Sequence, residues 1–361
     1  MNSRHLQILL LLLLVSLAGC GSSQPAKPAT FDRRAMLTEL ADTVIMPRHE
    51  QFVAETEALQ AAVYGLRDEP TVENLSQAQE QWRRTAEAWA QVEPFGFRFT
   101  MVVHNQIKKW PINQPFIEDF IVEEEKIDEP FIESIGSTSK GLTVIEYFLF
   151  SPAVSDEALV QGLVAEPNRL AYLVALTENL HRKAGELLAL WSSEGENQRQ
   201  AFIEADLSAN EVQGSISMLA NEMIEMTELI ANTKLHYPLK GVYGSAQPQA
   251  VESPYANYSL PLAAANLQAL RQTFQVGYAG YIDFLPTEPS DPPLSAEVDE
   301  QFERTIAALE AIDQPLAVAV LEQPEAVDAA YTEAKVLVVL LKADMANHLG
   351  ITITFSDNDG D

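Results

Sequence analysis

Apolar residues recur every three or four positions along most of the chain, the spacing that lines one face of a helix. From Arg33 to Tyr64 the stripe runs Leu37, Leu40, Val44, Phe52, Leu59 and Val63, with a kink or break expected at Pro47 and an end at Gly65. Thr71 is placed to cap the next helix, which carries Trp82, Ala86 and Trp89 on one face as core residues. Turns follow at Glu93-Pro94-Phe95-Gly96-Phe97 and Lys108-Lys109-Trp110-Pro111. Longer helices are predicted from about Asn168 to Trp191, from Leu207 to Leu235 and from Leu262 to Gly277. Two more follow from Ala296 to Ile312 and from Glu325 to Leu349, the last with Tyr331, Val336, Val339 and Leu340 facing inward. Gly350 stops that helix, and Ile351 to Phe355 alternates as a short strand or extended tail does. Pro238 to Tyr258, rich in Gly, Pro, Ser and Gln, is the longest stretch without helical pattern, and loops of that length are commonly functional. The expected fold is all-α, with two antiparallel helical-bundle domains, 31–204 and 205–361.

One run departs from the pattern. Gly141-Leu142-Thr143-Val144-Ile145-Glu146-Tyr147 is apolar nearly throughout but holds a carboxylate. A buried carboxylate without a cation, a metal or several donors is costly, so Glu146 is either paired or functional. The structural alternative is an ion pair to a basic residue such as Lys234. The functional one is a carboxylate site for iron or another divalent cation, completed by oxygens from other helices.

The first 19 residues change the picture of where the chain works. Arg4 and His5 precede an apolar run from Ile8 to Val15 that is too short for a permanent membrane span, and Leu17-Ala18-Gly19-Cys20 follows. This ending resembles a bacterial lipobox, in which Cys20 becomes the lipid-bearing first mature residue, and residues 20–30 then form a flexible tether. Gly21 after the lipidated cysteine resembles the sorting pattern of outer-membrane lipoproteins. The expected location is therefore the periplasm, anchored to the outer membrane through Cys20. Cys20 is the only cysteine, so no internal disulfide forms. Removing the signal leaves 22 basic against 52 acidic residues, a balance of −30 that argues against nucleic acid and anionic lipid as partners.

Several chemistries are excluded by motif. The chain has no Gly-x-Ser-x-Gly elbow, no phosphate-binding loop, no His-Glu-x-x-His and no paired-cysteine zinc spacing. His49, His104, His181, His236 and His348 are scattered singly, and Glu123-Glu124-Glu125 reads as a solvated helix end. The acidic tail Asp357-Asn358-Asp359-Gly360-Asp361 stops short of a calcium loop.

Taken in order, the lipobox, Trp82 to Trp89, Glu93-Pro94-Phe95-Gly96-Phe97, Trp110-Pro111, Gly141 to Phe150, Lys234-Leu235, Glu252-Ser253-Pro254-Tyr255 and Leu349-Gly350 resemble the imelysin-like lipoproteins. The resemblance covers nearly the whole mature chain. It implies an all-α fold of two bundle-like domains, export to the periplasmic side and a role in iron uptake. That role would consist of binding a metal or a metal-bearing partner near the domain junction, with iron-uptake components as partners. It marks Gly141, Thr143, Glu146, Glu93, Trp110, Lys234, Glu252 and Ser253 as motif positions. The family also includes proteins named as insulin-cleaving peptidases, whose Gly-x-His-x-x-Glu motif is proposed to bind metal. Here the motif reads Gly141-x-Thr143-x-x-Glu146, with no imidazole, which weakens a metallopeptidase reading. The alternatives are a metal-dependent peptidase using Glu146 and a non-catalytic interaction protein.

Overall fold

A computed structural model describes residues 30–205, 214–286, 290 and 292–354. The signal, Cys20, most of the tether, the start of the helix expected at Leu207 and the acidic tail lie outside the described residues. Helices take 77% of the described residues, and no strand occurs among them. Arg33–Asp361 form one compact unit.

Helix α1 spans 33–68 and contains a π-helical turn, Leu40–Ile45. Pro47 does not break it. The turn precedes the proline, and side chains take two of the carbonyls it loosens: Arg48 donates to Val44 O and His49 Nδ1 lies against Ile45 O, each at 2.8 Å. Nor does Gly65 end the helix; it continues to Asp68 and stops at Glu69, which Pro70 bars from the helical region. Helix α2, Val72–Val92, is capped by Thr71, whose hydroxyl accepts from Asn74 N–H at 3.2 Å. Short helices α3 (Met101–Ile107), α4 (Gln114–Glu123), α5 (Glu129–Ser134), α6 (Leu142–Leu149) and α7 (Asp156–Ala165) lead into the long α8, Pro167–Trp191. The faces of α1, α2 and α8 close on one apolar core from Phe52 to Leu187, with Trp82, Trp89 and Tyr172 fully inside.

After α9 (Gln198–Ala205) come α10 (215–240) and α11 (259–284), then α12 (Leu294–Glu310), α13 (Leu316–Glu322) and α14 (324–349). Helices α10, α11 and α14 also carry π-helical turns, at Leu229–His236, Phe274–Tyr278 and Leu340–Met345. Helix α11 packs on α2 from one side and on α12 from the other. On α14 the inward stripe is Val327, Ala330, Ala334, Leu337 and Leu341. Val336 and Val339 are 43% and 55% exposed, a correction to the expected register: they fall on the opposite face from this three-and-four spacing. Ile351 to Thr354 form no strand. They run as an extended tail held by Asn221, which donates to Thr352 O and accepts from Thr354 N–H.

Candidate functional site: a buried acidic motif clamped to a loop

Gly141 starts α6 with φ 83° and ψ −168°, a region essentially reserved for glycine. A Cβ there would lie 2.3 Å from the carbonyl oxygen of Ile107, so the missing side chain lets α6 begin directly against the end of α3. Trp82 Nε1 donates to Leu142 O at 3.0 Å and fixes the same turn to α2. Helix α6 is therefore buried almost all round, and Glu146 is carried inside with it at 1% exposure.

The Glu146 carboxylate is not ion-paired to Lys234. Its Oε1 accepts three hydrogen bonds from one loop: from Ser253 Oγ at 2.8 Å, and from the backbone N–H groups of Tyr255 and Ala256 at 2.9 Å each. Burial raises the Glu146 pKa to about 7, while these donors and the charge of Lys108 pull the other way. The loop is held in turn by Ser259, whose hydroxyl accepts from Ser253 N–H at 2.9 Å.

Lys234, on the π-helical turn of α10, serves a second cluster next to the first. Its Nζ donates to Glu252 Oε1 at 2.7 Å, to Asn266 Oδ1 at 2.8 Å and to Glu93 Oε2 at 3.3 Å. Lys108 pairs with Glu252 and lies 3.7 Å from Glu93. Asn266 Nδ2 bridges Glu93 Oε2, at 3.0 Å, to Ala90 O, at 2.7 Å. Both ammonium groups lie 5.9 Å from the centre of the Trp110 ring. Burial pushes the Glu93 carboxyl up, but Lys108, Lys234 and Asn266 outweigh it and hold the group well below the usual carboxylate range. Glu93 and Glu252 likewise hold Lys108 above the usual lysine range against the opposing effect of burial.

Gly141, Thr143, Glu146, Glu93, Trp110, Lys234, Glu252 and Ser253 thus converge, although they are spread over more than a hundred positions of sequence. Sequence reading missed four contributors: Lys108, Asn266 and the backbone amides of Tyr255 and Ala256. Asn266 had a signal, since it is a lone polar residue in the run from Leu262 to Leu267, as Glu146 is in its own. The five histidines distribute elsewhere. His104 packs on Trp89, His181 contacts Thr56, His236 lies on Tyr331, His348 reaches Ile282 O, and His49 sits under Trp191.

Against these clusters opens a cavity of about 520 Å³. Trp110, Pro111 and Ile112 form one side; Thr233 and Tyr237 of α10 form another; Val251, Pro254 and Tyr255 close it. Thr143 reaches it from α6, and Gln114, Gln247 and Gln249 add amides, but no charged side chain is among the lining residues.

These groups do not fit a bare metal ion. Among the described residues no group of three or more His, Cys, Asp or Glu is arranged to hold one. Around Glu146 and Glu252 the neighbours are donors and ammonium groups, which repel a cation. The arrangement suits locking a loop in place and binding a ligand in the cavity that loop walls.

Fold and site define a helical protein built on a buried Gly-x-Thr-x-x-Glu turn clamped to a Glu-Ser-Pro-Tyr loop. The chain belongs to the imelysin family, whose model, Imelysin (Peptidase_M75), matches residues 45–342. It is 21% identical over 319 residues to Iron-regulated protein A of Synechococcus elongatus, covering 82% of each chain. Two crystal structures share the fold. A putative iron-regulated protein A precursor from Parabacteroides distasonis has a TM-score of 0.74 at 19% identity, covering 90% of this chain and 97% of its own. An imelysin-like protein from Psychrobacter arcticum has a TM-score of 0.72 at 16% identity with the same coverage. Among the described residues no helix is long and apolar enough to cross a membrane.

Proposed function

We propose that this protein is an exported lipoprotein, anchored through Cys20 to the outer membrane, that captures a metal-bearing partner for iron uptake in the cavity beside Glu146. The observation that carries this reading is a cavity lined by the motif positions Thr143 and Trp110 and walled by the loop that Glu146 clamps. The relative named Iron-regulated protein A supplies the link to iron. Glu146 acts as the positioning group of the site: it fixes Pro254 and Tyr255, which wall the cavity, through the amides that follow Ser253. The test is iron retention by the mature protein in detergent after mixing with iron salts and iron chelates. The wild type should retain iron, and Glu146→Ala should lose most of it while remaining folded by circular dichroism. Retention of no iron form by the wild type overturns the reading. Anchoring is tested separately: Cys20→Ser should move the protein from the membrane to the soluble fraction.

A second reading is supported by one observation. A buried carboxylate with a pKa about 7 has the proton affinity of a general base, and the family model bears a peptidase name. Cleavage of an unfolded protein that Glu146→Gln and a chelator both abolish would establish it; Thr143 in the place of an imidazole stands against it.

A further inference from the structure

We propose that the cavity walled by Trp110 and Tyr255 selects an uncharged iron chelate, of the ferric tris-hydroxamate class, over anionic chelates and over the free ion. The proposal rests on the function proposed above and adds the chemistry of the ligand.

The charge of the lining decides between ligand classes. Apart from the Trp110 indole N–H, every polar side-chain group on the wall is an amide or a hydroxyl, among them Gln247, Gln249, Thr143 and Thr233, and the aromatic area comes from Trp110, Tyr237 and Tyr255. An anionic chelate such as ferric citrate or a ferric tris-catecholate would need cations to replace its water. The two nearest, Lys108 and Lys234, are buried and already committed to Glu252 and Glu93. The chain as a whole carries −29, so a polyanion is also repelled before it arrives. The free ion fails for the opposite reason: the lining residues include no carboxylate or imidazole, and among the described residues no group of three or more His, Cys, Asp or Glu could hold a metal.

A ferric tris-hydroxamate meets neither obstacle. Its three hydroxamate oxyanions cancel the charge of the metal, so entry into an uncharged cavity strips no net charge of its water. Its outer oxygens accept hydrogen bonds, which the glutamine amides and threonine hydroxyls can donate. Its methylene linkers supply apolar surface for the three aromatic rings. A volume of about 520 Å³ is in the range of cavities that hold ligands of this size.

Trp110 gives the experiment a reporter, because Trp82, Trp89 and Trp191 are buried in the core while Trp110 is partly exposed at the cavity. Tryptophan fluorescence quenching, checked by equilibrium dialysis, would be measured on the mature protein in detergent. The probes are a neutral ferric tris-hydroxamate, ferric citrate, a ferric tris-catecholate and ferrous sulfate. The hydroxamate chelate should bind at least about ten-fold more tightly than any other, a difference of about 1.4 kcal/mol. Trp110→Ala, which removes the reporter and is therefore followed by equilibrium dialysis, should weaken it by a similar factor. Gln249→Lys, at an exposed position of the short turn Pro248–Ala250, should shift preference toward ferric citrate. Equal or tighter binding of an anionic chelate or of ferrous ion by the wild type overturns the ligand class and leaves the proposed function standing. Hydroxamate binding indifferent to both variants also overturns it, because the ligand then sits elsewhere. Failure to bind any of the four probes removes the proposed function as well.

Discussion

Two buried carboxylates a short distance apart in the fold behave in opposite ways. Glu93 is held well below the ordinary carboxylate range, whereas Glu146 is raised to about 7. Burial pushes both upward. The difference lies in what faces them: Glu93 meets two ammonium groups and an amide, while Glu146 meets a hydroxyl and two backbone amides. Full opposite charges offset the loss of water around an ion, but three dipoles offset it only in part. The lysine and glutamate network therefore stays ionised and rigid. Glu146 sits close to the point where it can gain or lose a proton while still holding its loop.

Breaking the network should have the largest effect. In Lys234→Ala, Glu93 and Glu252 are left with Lys108 alone, and one buried negative charge goes uncompensated. The expected loss is about 3–5 kcal/mol in urea unfolding at pH 7. The double variant Lys234→Met with Glu252→Met keeps the charges balanced, as Lys108 with Glu93, and should recover most of that loss. If the double variant is no more stable than the single one, the network is held by shape rather than by charge balance.

The next effect separates the two carboxylates by pH. Because the folded-state pKa of Glu146 lies above its unfolded value, the folded protein keeps a proton that the unfolded chain has lost between about 4.5 and 7. Its contribution is fully present below about pH 4.5 and is lost as pH rises through 7, to the extent of about 3 kcal/mol. Glu146→Gln removes that titration. Unfolding free energy measured from pH 4.5 to 8 should fall less steeply for the variant than for the wild type, and at pH 8 the variant should be the more stable. Glu93, depressed in the folded state, contributes in the opposite sense: its stabilisation is present above about pH 4.5 and is lost toward lower pH.

The contrast between these sites also marks what the sequence could convey. Helical spacing was sufficient for the all-α fold, and the single acid in an apolar run was sufficient to single out Glu146. The ordered motifs marked Glu93, Trp110, Lys234, Glu252 and Ser253, which the fold brings together. What they could not convey was pairing. Lys234 stood as one example of a basic partner for Glu146, but partner choice depends on which atoms the π-helical turn of α10 and the close approach at Gly141 bring into range. Lys108 was hidden because two adjacent lysines at a turn normally face water. The donors from Tyr255 and Ala256 are backbone groups, and a sequence does not mark the amides that a loop will turn inward.

The smallest effect examines the three dipoles directly. Among the described residues Ser253 Oγ is the one side-chain donor to Glu146, and Ser253→Ala removes it while both loop amides remain. At pH 6, where Glu146 is mostly protonated, a neutral hydrogen bond is lost and stability should drop by about 1 kcal/mol. At pH 8 the bond is made to a charged acceptor, and the drop should reach about 2 kcal/mol. The same loss raises the Glu146 pKa further, because a donor to the carboxylate favours its charged form. Unfolding at the two pH values therefore gives a difference of differences that reports on Glu146 alone. An equal loss at pH 6 and pH 8 would mean that Glu146 does not change charge across that range. The distinction from Glu93 would then lie in geometry, not in protonation.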